Sequence, residues 1–481
     1  MASRTASKPV IVLFRNDLRV ADNGALAAGA DSGRPVIPLF VLDETAGRAR
    51  GAASRWWLHH SLEALGARLK ALGAPLALRR GDTDSIVADV RKASGAGAVF
   101  WNRRYEPGCA AADSRLKARL NDEGIEAESF DGALLHEPSR VKTGSGGFYR
   151  VYTPFRRALA GGLDPRDPID APERLTPWGG HLDGEPLDRF GLLPEKPDWA
   201  GGLRQRWTPG EEGARARLEA FLTHDLDDYA RGRDFPGMEG TTRLSPHLAH
   251  GEITPFQILA RLSRLRASRH EAGADKLRRE IVWREFSYHL LFHRPALHTE
   301  NFREEFLRFP WRRDEAGLRA WRRGLTGYPI VDAGMRELWR TGWMHNRVRM
   351  IAASFLVKDL MIDWRDGEGW FWDTLVDADP ADNPMNWQWV AGTGADAAPY
   401  FRIFNPVLQG ERFDPDGDYV RRYVPELKAL PGRWLHRPWE APKAALDEAG
   451  VTLGETYPLP ILRHDEARDR SLAAYRQMRR S

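Results

Sequence analysis

The segment Trp387–Pro406, with the sequence WQWVAGTGADAAPYFRIFNP, holds the densest set of residues that could do chemistry. It places aromatic rings beside a run of glycine and alanine, and it adds one cation, Arg402. Small residues let a flat ligand or another backbone come close. Aromatic rings and arginine are the groups on which an unstacked nucleic-acid base stacks. The segment therefore indicates a protein that handles nucleic-acid bases together with a bound planar cofactor.

The elements that must position this segment are of two kinds, and the first is an alternation of strands and helices. The segments Trp56–Leu72 and Thr83–Ala93 have helical periodicity, and they lie between short apolar runs. The alternation predicts an α/β domain over residues 1–135, with a Rossmann-like parallel sheet and helices on both faces. No GxGxxG follows the first strand, so no cofactor is placed there on that ground. The predicted strands are Val10–Phe14, Pro35–Leu42, Leu76–Arg79, Ala98–Trp101 and Ala127–Phe130.

The second kind of element is helical, and it follows a long connector. Residues 136–205 are rich in proline and glycine, which predicts a linker on the surface of both domains. Strand patterns are missing after it, so residues 206–481 are predicted to form an all-α domain. The predicted helices are Gly210–Ala230, Thr254–Ala267, Lys276–Phe292, Asp314–Arg323, Ala333–Thr341 and Met344–Asp363.

Composition limits the class of protein. A chain of 481 residues can form two or three domains, and 42% hydrophobic residues are ordinary for a soluble protein. No apolar run reaches the roughly 18 residues of a membrane span, and the N-terminus lacks the pattern of a signal peptide. The single cysteine, Cys109, excludes an intrachain disulfide and favours a reducing, cytoplasmic location. Because the net charge is only +4, a polyanion must bind at a local basic patch.

Five motifs of the helical half and one at the N-terminus occur in a characteristic order. They are Phe14–Leu26, Arg233–Pro255, Ile281–Leu290, Gly327–Leu338, Gly342–Trp364 and Trp387–Pro406. Together they resemble the photolyase/cryptochrome family, and within it the bacterial photolyases that repair cyclobutane pyrimidine dimers. The resemblance implies an antenna-binding α/β domain, a linker, and a helical domain that binds FAD and DNA. In this family reduced flavin, excited by blue light, passes an electron to the dimer, which then splits.

The resemblance implies two groups of cofactor contacts. One is a pyrophosphate cradle, where hydroxyls and backbone N–H groups at a helix start suit an anion; Ser245 could also simply cap that helix. The other surrounds the flavin ring, with Asn383 opposite flavin N5. Plant cryptochromes have Asp at that position, so Asn favours repair over signalling. The implied FAD contacts are Tyr229, Thr241, Thr242, Arg243, Leu244, Ser245, Arg349, Asp377, Asp379 and Asn383.

The same resemblance implies where the damaged bases lie. Asn346 and Met350 are four residues apart and share a helix face below the dimer. Photolyases for (6-4) photoproducts have two histidines there, so that substrate is disfavoured. Glu280 matches the residue that hydrogen-bonds the thymine edge, and Trp283 and Trp389 match the stacking walls. Each of these residues, taken alone, has an ordinary structural explanation such as core packing.

Two further sets follow from the resemblance. Trp387, Trp364 and Trp311 have the spacing of an electron-transfer chain from flavin to surface. Arg233, Arg347 and Arg402 match phosphate contacts, which position a duplex without specifying its sequence.

The chain departs from the family pattern beside the flavin and in the antenna cleft. NPMN, residues Asn383–Asn386, replaces the NNGG of enterobacterial relatives. Tyr105–Pro107 is followed by Gly108–Cys109 rather than by the folate-binding pattern, and Arg104 stands where deazaflavin-binding relatives have Asp, although Glu106 is retained. An antenna chromophore is expected: methenyltetrahydrofolate by base rate, with deazaflavin or flavin still open.

The sequence thus favours a monomeric, light-driven lyase acting on DNA that contains pyrimidine dimers. The main alternative is a cryptochrome-type blue-light photoreceptor, against which stand Asn383 and a chain that stops near Ser481 without a long tail. A third hypothesis is a (6-4) photolyase. A fourth is a flavoprotein that binds nucleic acid without light chemistry.

Overall fold

A five-stranded parallel sheet forms the N-terminal domain, in the order β3-β2-β1-β4-β5. The computed structural model describes residues 7–160, 165–265, 268–396 and 401–480. Of the residues that the sequence interpretation used, Ala267, Tyr400 and Ser481 lie outside these ranges. Each predicted strand agrees with the structure within one residue at either end. The strands are β1 Val10–Phe14, β2 Val36–Leu42, β3 Ala77–Arg80, β4 Ala98–Asn102 and β5 Glu126–Phe130.

Residues on β1 alternate between two apolar clusters, one on each face of the sheet. Val10, Val12 and Phe14 pack on one side, whereas Ile11 and Leu13 pack on the other. Side chains of a strand point to opposite faces in turn, so helices must cover both faces. The α/β prediction is confirmed. The helices of this domain are α1 Gly24–Asp31, α2 Ala52–Ala71, α3 Thr83–Ser94 and α4 Pro107–Asp122.

The described part of the connector packs against this domain and contains the helix α5 Tyr152–Ala160, two short 3-10 helices and most of α6 Gly201–Arg206. Pro177 forms a parallel bridge with Val36, and the Leu175 amide donates to the Leu72 carbonyl at 2.8 Å. These contacts attach the connector to the sheet. The boundaries at residues 135 and 205 stay a prediction.

Helices account for the regular structure of the described residues after the connector, apart from one isolated bridge between Leu453 and Tyr457. The α-helices are α6 Gly201–Arg206, α7 Glu211–His224, α8 Tyr229–Gly232, α9 Ser245–Ala249, α10 Pro255–Ser263, α11 Glu271–His293, α12 Glu315–Arg322, α13 Pro329–Thr341, α14 Asn346–Ser354, α15 Trp364–Thr374, α16 Asp382–Ala391, α17 Pro406–Phe413, α18 Asp418–Tyr423, α19 Gly432–Leu435, α20 Lys443–Ala449 and α21 His464–Arg480. Short 3-10 helices lie at Pro138–Arg140, Leu187–Phe190, Ser268–His270, Glu304–Arg308, Pro425–Leu427 and Pro438–Glu440.

Several predicted helices were wrong in extent. The helix predicted at Lys276–Phe292 begins earlier, at Glu271, the one predicted at Ala333–Thr341 begins at Pro329, and the one predicted at Thr254–Ala267 ends at Ser263. The helix predicted at Gly210–Ala230 ends at His224, because an aspartate-rich turn of low helix propensity follows before α8. The helix predicted at Met344–Asp363 begins at Asn346, where the His345 side chain caps it by accepting from the Arg347 amide. It continues as a π-helix over Phe355–Asp359. Such π segments are frequent at functional sites.

No helix in the described ranges is long and apolar enough to cross a membrane.

Candidate cofactor and nucleic-acid site

A cavity of about 660 Å³ opens in the helical domain. Its volume falls within the range of cofactor and ligand pockets. Its wall is built from the segment between α8 and α9 and from α8, α11, α14 and α16. The predicted site residues that line it are Tyr229, Arg233, Thr241, Thr242, Arg243, Leu244, Ser245, Glu280, Trp283, Asn346, Arg347, Arg349, Met350, Asp377, Asp379, Asn383, Trp387 and Trp389. Trp311, Trp364 and Arg402 lie elsewhere.

The cradle Thr241–Ser245 is held in an unusual backbone conformation. Arg243 has φ of +52°, which is rare for a residue other than glycine and occurs where surrounding structure enforces it. Arg217 donates to the carbonyls of Thr241 and Thr242 at 2.8 and 2.9 Å. The suggestion that Ser245 caps α9 was wrong: Leu244 is the N-cap residue, and the Ser245 hydroxyl donates instead to Oδ2 of Asp377 at 2.6 Å.

An ion pair between Arg349 and Asp377 lies in the cavity wall beside the cradle. Nη2 of Arg349 lies 2.8 Å from Oδ2 of Asp377, which also accepts from Ser245. Oδ1 of Asp377 and Nε of Arg243 are buried without a hydrogen-bond partner in the described structure. Buried polar atoms require partners, so this donor and this acceptor fit a ligand such as FAD, which carries both phosphates and ring N–H groups.

Trp343 was not assigned a role from the sequence, although it lies in the motif Gly342–Trp364. Its ring lies 5.4 Å from the Arg243 guanidinium and 5.8 Å from that of Arg349. Its indole Nε1 is 3.4 Å from the Ser245 hydroxyl. Trp343 therefore joins the cradle to the Arg349–Asp377 pair, and the only sequence signal for it is its place in the motif.

The start of α16 adds a second acidic group to the wall. Oδ1 of Asp379 accepts from the amides of Ala381 and Asp382, and Oδ2 accepts from the Tyr288 hydroxyl at 2.8 Å. Burial, and next the nearby Asp379 carboxylate, raise the pKa of Asp382 to about 7. The sequence analysis did not single out Asp382, because its raised pKa results from burial in the folded protein, which the sequence does not show.

The predicted substrate wall contains paired and stacked side chains. Glu280 forms ion pairs with Arg233, at 2.9 Å from Nη2, and with Lys276, at 3.2 Å from Nζ. The Trp283 ring packs edge-on against Tyr152 with 4.1 Å between centroids. Asn346 is exposed on the first turn of α14, with half-buried Met350 one turn further along. Both residues border the cavity from the same face of α14, as the sequence analysis predicted.

The three predicted phosphate contacts have different surroundings. Arg233 pairs with Glu280, and Arg347 pairs with Asp234 at 2.7 Å while lying 4.4 Å above the Phe413 ring. Arg402 lines a separate cavity of about 30 Å³, which it shares with Trp389. Trp389 borders both cavities, whereas Arg402 borders only the smaller of the two.

The predicted electron-transfer tryptophans share one apolar cluster. Trp387 borders the cavity, Trp364 is fully buried with its Nε1 2.8 Å from Asn301 Oδ1, and half-buried Trp311 packs against the cluster. The ring of Trp387 also contacts two residues that the sequence did not single out. These are Phe371, at 4.9 Å between centroids, and Trp321, at 6.1 Å.

A buried neutral histidine lies beneath the arginines of this wall. Burial, then Arg233, lower the pKa of His345 to about 3 despite the nearby Asp234. Its Nδ1 accepts from the Arg347 amide at 3.2 Å. His345 therefore orients α14 without adding charge.

The predicted antenna cleft is much smaller than the main cavity. Between the two domains lies a cavity of about 40 Å³, bordered by Arg104, Tyr105, Glu106, Arg284 and Tyr288. Pockets that hold drug-sized ligands measure about 300 Å³ or more. In this form the cleft does not fit a folate, deazaflavin or flavin.

The fold and the cavity define a class: a two-domain protein whose helical domain encloses a cofactor-sized cavity beside an arginine-bearing wall. The chain belongs to the photolyase/cryptochrome family. Residues 10–173 match the family model described as DNA photolyase, and residues 277–477 match the FAD binding domain of DNA photolyase.

Individual relatives agree with this membership. A deoxyribodipyrimidine photo-lyase of Agrobacterium fabrum is 56% identical over 483 residues and 100% of both chains. Cryptochrome-1 of Arabidopsis thaliana is 40% identical over 97% of this chain and 70% of its own length. The crystal structure of a class III photolyase from Agrobacterium tumefaciens superposes with a TM-score of 0.97 at 55% identity, covering 100% of both chains. The higher identity to the photo-lyase places this chain among the enzymes of the family.

Proposed function

We propose that this protein is a light-driven lyase that splits cyclobutane pyrimidine dimers in DNA. FAD, when bound and reduced, supplies the electron that the reaction needs. The observation that carries the proposal is the single 660 Å³ cavity, whose wall includes both the cradle around Arg243 and the group around Glu280. An electron donor and a flipped pyrimidine dimer would therefore be enclosed together.

The residues of the chain have distinct tasks in this proposal. Arg243 and Ser245 hold the pyrophosphate, and the Arg349–Asp377 pair flanks the flavin ring. Trp283 and Trp389 stack on the flipped bases, each stack contributing about 1–3 kcal/mol toward the cost of unpairing. Glu280 hydrogen-bonds the edge of a base.

DNA binding and cofactor reduction involve further residues. Arg233, Arg347 and Arg402 contact phosphates, which makes affinity depend on salt. Trp387, Trp364 and Trp311 carry electrons from the surface to the cofactor. The proposal includes a monomeric, cytoplasmic protein. It also includes an antenna chromophore, supported by the family resemblance, for which the 40 Å³ cleft would have to widen.

A photoreceptor function is the second candidate, because a plant cryptochrome is 40% identical to this chain. Asn383 in place of Asp supports repair instead. A repair enzyme would remove the dimers from damaged DNA in light, whereas a photoreceptor would leave them intact.

The test begins with the absorbance spectrum of the purified protein, which identifies bound FAD. Reduced holoprotein is then mixed with dimer-containing DNA in blue light and in darkness. The proposal predicts dimer loss only in light. Bound FAD with intact dimers in both arms would favour the photoreceptor, and a protein that takes up no FAD would refute both.

A further inference from the structure

The side-chain amide of Asn383 has its donor side fixed by the protein. One N–H donates to the backbone carbonyl of Glu368 at 3.1 Å, and the other to Oε1 of the Glu368 carboxylate at 2.8 Å. A backbone carbonyl and a carboxylate oxygen can only accept here, so the atom facing both must be the nitrogen. Asn383 is buried and borders the 660 Å³ cavity. With both N–H groups used, the carbonyl oxygen is the group left for a ligand.

Glu368 is itself held from the other domain. Its side chain lies in α15, is only 2% exposed, and receives both terminal nitrogens of Arg48, at 2.7 and 3.0 Å. Two parallel N–H···O bonds from a guanidinium fix a carboxylate in orientation as well as in position. Oε1 therefore cannot turn away from Asn383 without breaking the pair with Arg48.

Arg48 is placed by a close contact between the α/β domain and α15. Its guanidinium lies 4.2 Å above the Trp372 ring, and Trp372 Nε1 donates to the Ala49 carbonyl at 2.8 Å. The backbones meet so closely that a Cβ at Gly51 would lie 2.1 Å from the Trp372 carbonyl oxygen. Arg48 and Glu368 therefore connect the contact between the α/β domain and α15 to Asn383 at the cavity.

We propose that Arg48 and Glu368 are positioning residues that fix the amide of Asn383 with its carbonyl oxygen toward the cofactor. The inference rests on the proposed FAD site, with Asn383 opposite flavin N5. A carbonyl can only accept a hydrogen bond, so it favours the reduced ring, which carries hydrogen on N5, over the oxidised ring, whose N5 offers a lone pair. If the amide were free to rotate, its N–H could donate to oxidised N5 and remove that preference.

The test is the midpoint potential of bound FAD in variant holoproteins. Glu368→Met removes the acceptor, and we expect the ratio of reduced to oxidised FAD at a given potential to fall about ten-fold, equivalent to about 30 mV for two electrons. Glu368→Gln keeps an oxygen for Asn383, so its ratio should stay within about two-fold of wild type. Arg48→Met, near the surface, should lower the ratio about three-fold. The expected changes in the ratio of reduced to oxidised FAD correspond to the loss of one hydrogen bond.

The control is Asp373→Ala, which removes the acceptor of the Ala52 amide in the same domain contact but does not touch Glu368. It should keep the wild-type potential. An FAD-loaded Glu368→Met protein with wild-type potential would overturn the inference. If that variant does not fold, an unchanged potential in Arg48→Met overturns it instead. Wild-type protein that takes up no FAD would refute the proposed function.

Discussion

Arg233 and Glu280 form an ion pair in the cavity wall, with 2.9 Å between Nη2 and Oε2. Because Lys276 occupies Oε1 as well, both carboxylate oxygens have partners in the protein alone. A DNA phosphate that attracts Arg233 would release Oε2 for the edge of a flipped base. In the proposed function, the pair would thus link the residue that contacts the DNA backbone to the residue that contacts the damaged bases.

Replacing Glu280 should separate substrate contact from cofactor binding. We expect Glu280→Ala to lower the repair yield of reduced holoprotein at least ten-fold, since a lost hydrogen bond to a charged group costs about 1.5–3 kcal/mol. FAD content should stay unchanged. Dimer loss per absorbed photon is the measurement, and Asp275→Asn on the exposed side of α11 is the control. An unchanged yield would remove the role of Glu280.

The salt dependence of DNA binding should report each phosphate contact. We expect Arg402→Ala to weaken binding of damaged duplex and to reduce the slope of log K against log salt by about 0.9. The measurement is a titration of labelled DNA at several salt concentrations. Arg34→Ala, on the α/β domain where Arg34 pairs with Glu126, is the control. Equal slopes in both variants would contradict a phosphate contact at Arg402.

Electron supply to the cofactor should be separable from repair. We expect Trp311→Phe to slow photoreduction of oxidised FAD at least ten-fold, because phenylalanine is a far poorer electron carrier than tryptophan. Repair by chemically reduced holoprotein should be unaffected. Both rates can be followed by absorbance, with Trp434→Phe from the same apolar cluster as the control. Wild-type photoreduction in Trp311→Phe would remove this residue from the pathway.

Asp382 should give the folded protein a measurable pH dependence. Its pKa rises from 3.8 to about 7 on folding, so the unfolded chain loses this proton first. The stability it contributes is complete below about pH 4 and is lost as the pH rises toward 7. We expect the unfolding free energy of Asp382→Asn to rise relative to that of wild type over that window, by up to about 4 kcal/mol for a pKa difference of about three units. Denaturant titrations at pH 4 and 7 check this, and a constant difference between the proteins would contradict it.

Two glycines of α15 should respond oppositely to alanine. A Cβ at Gly367 would lie 2.2 Å from the Trp387 ring, whereas nothing lies within 4 Å of a Cβ at Gly369. We expect Gly367→Ala to cost about 1–3 kcal/mol through overpacking, and Gly369→Ala to gain up to about 1 kcal/mol from helix propensity. Thermal unfolding of both variants is the measurement. A stable Gly367→Ala protein would mean that Trp387 can move.

Much of the architecture could be predicted from local pattern. Strands such as β1 Val10–Phe14 and β2 Val36–Leu42 are short, continuously apolar runs between helical patterns, and all five strands were predicted within one residue. Helix ends were less accurate. The end of α7 at His224 and the π-helix at Phe355–Asp359 depend on packing that periodicity does not report.

The motifs of the sequence determined which residues line the main cavity, because their spacing is inherited with the family fold. Only the tertiary structure decided what those residues bind in the protein itself. Ser245 reaches Asp377, 132 positions away, and Arg48 reaches Glu368 across 320 positions. Such pairings have no local signature, since hydrogen bonds and charges act over a few ångströms in space and not along the chain. The direction in which Asn383 presents its amide was therefore set by folding alone.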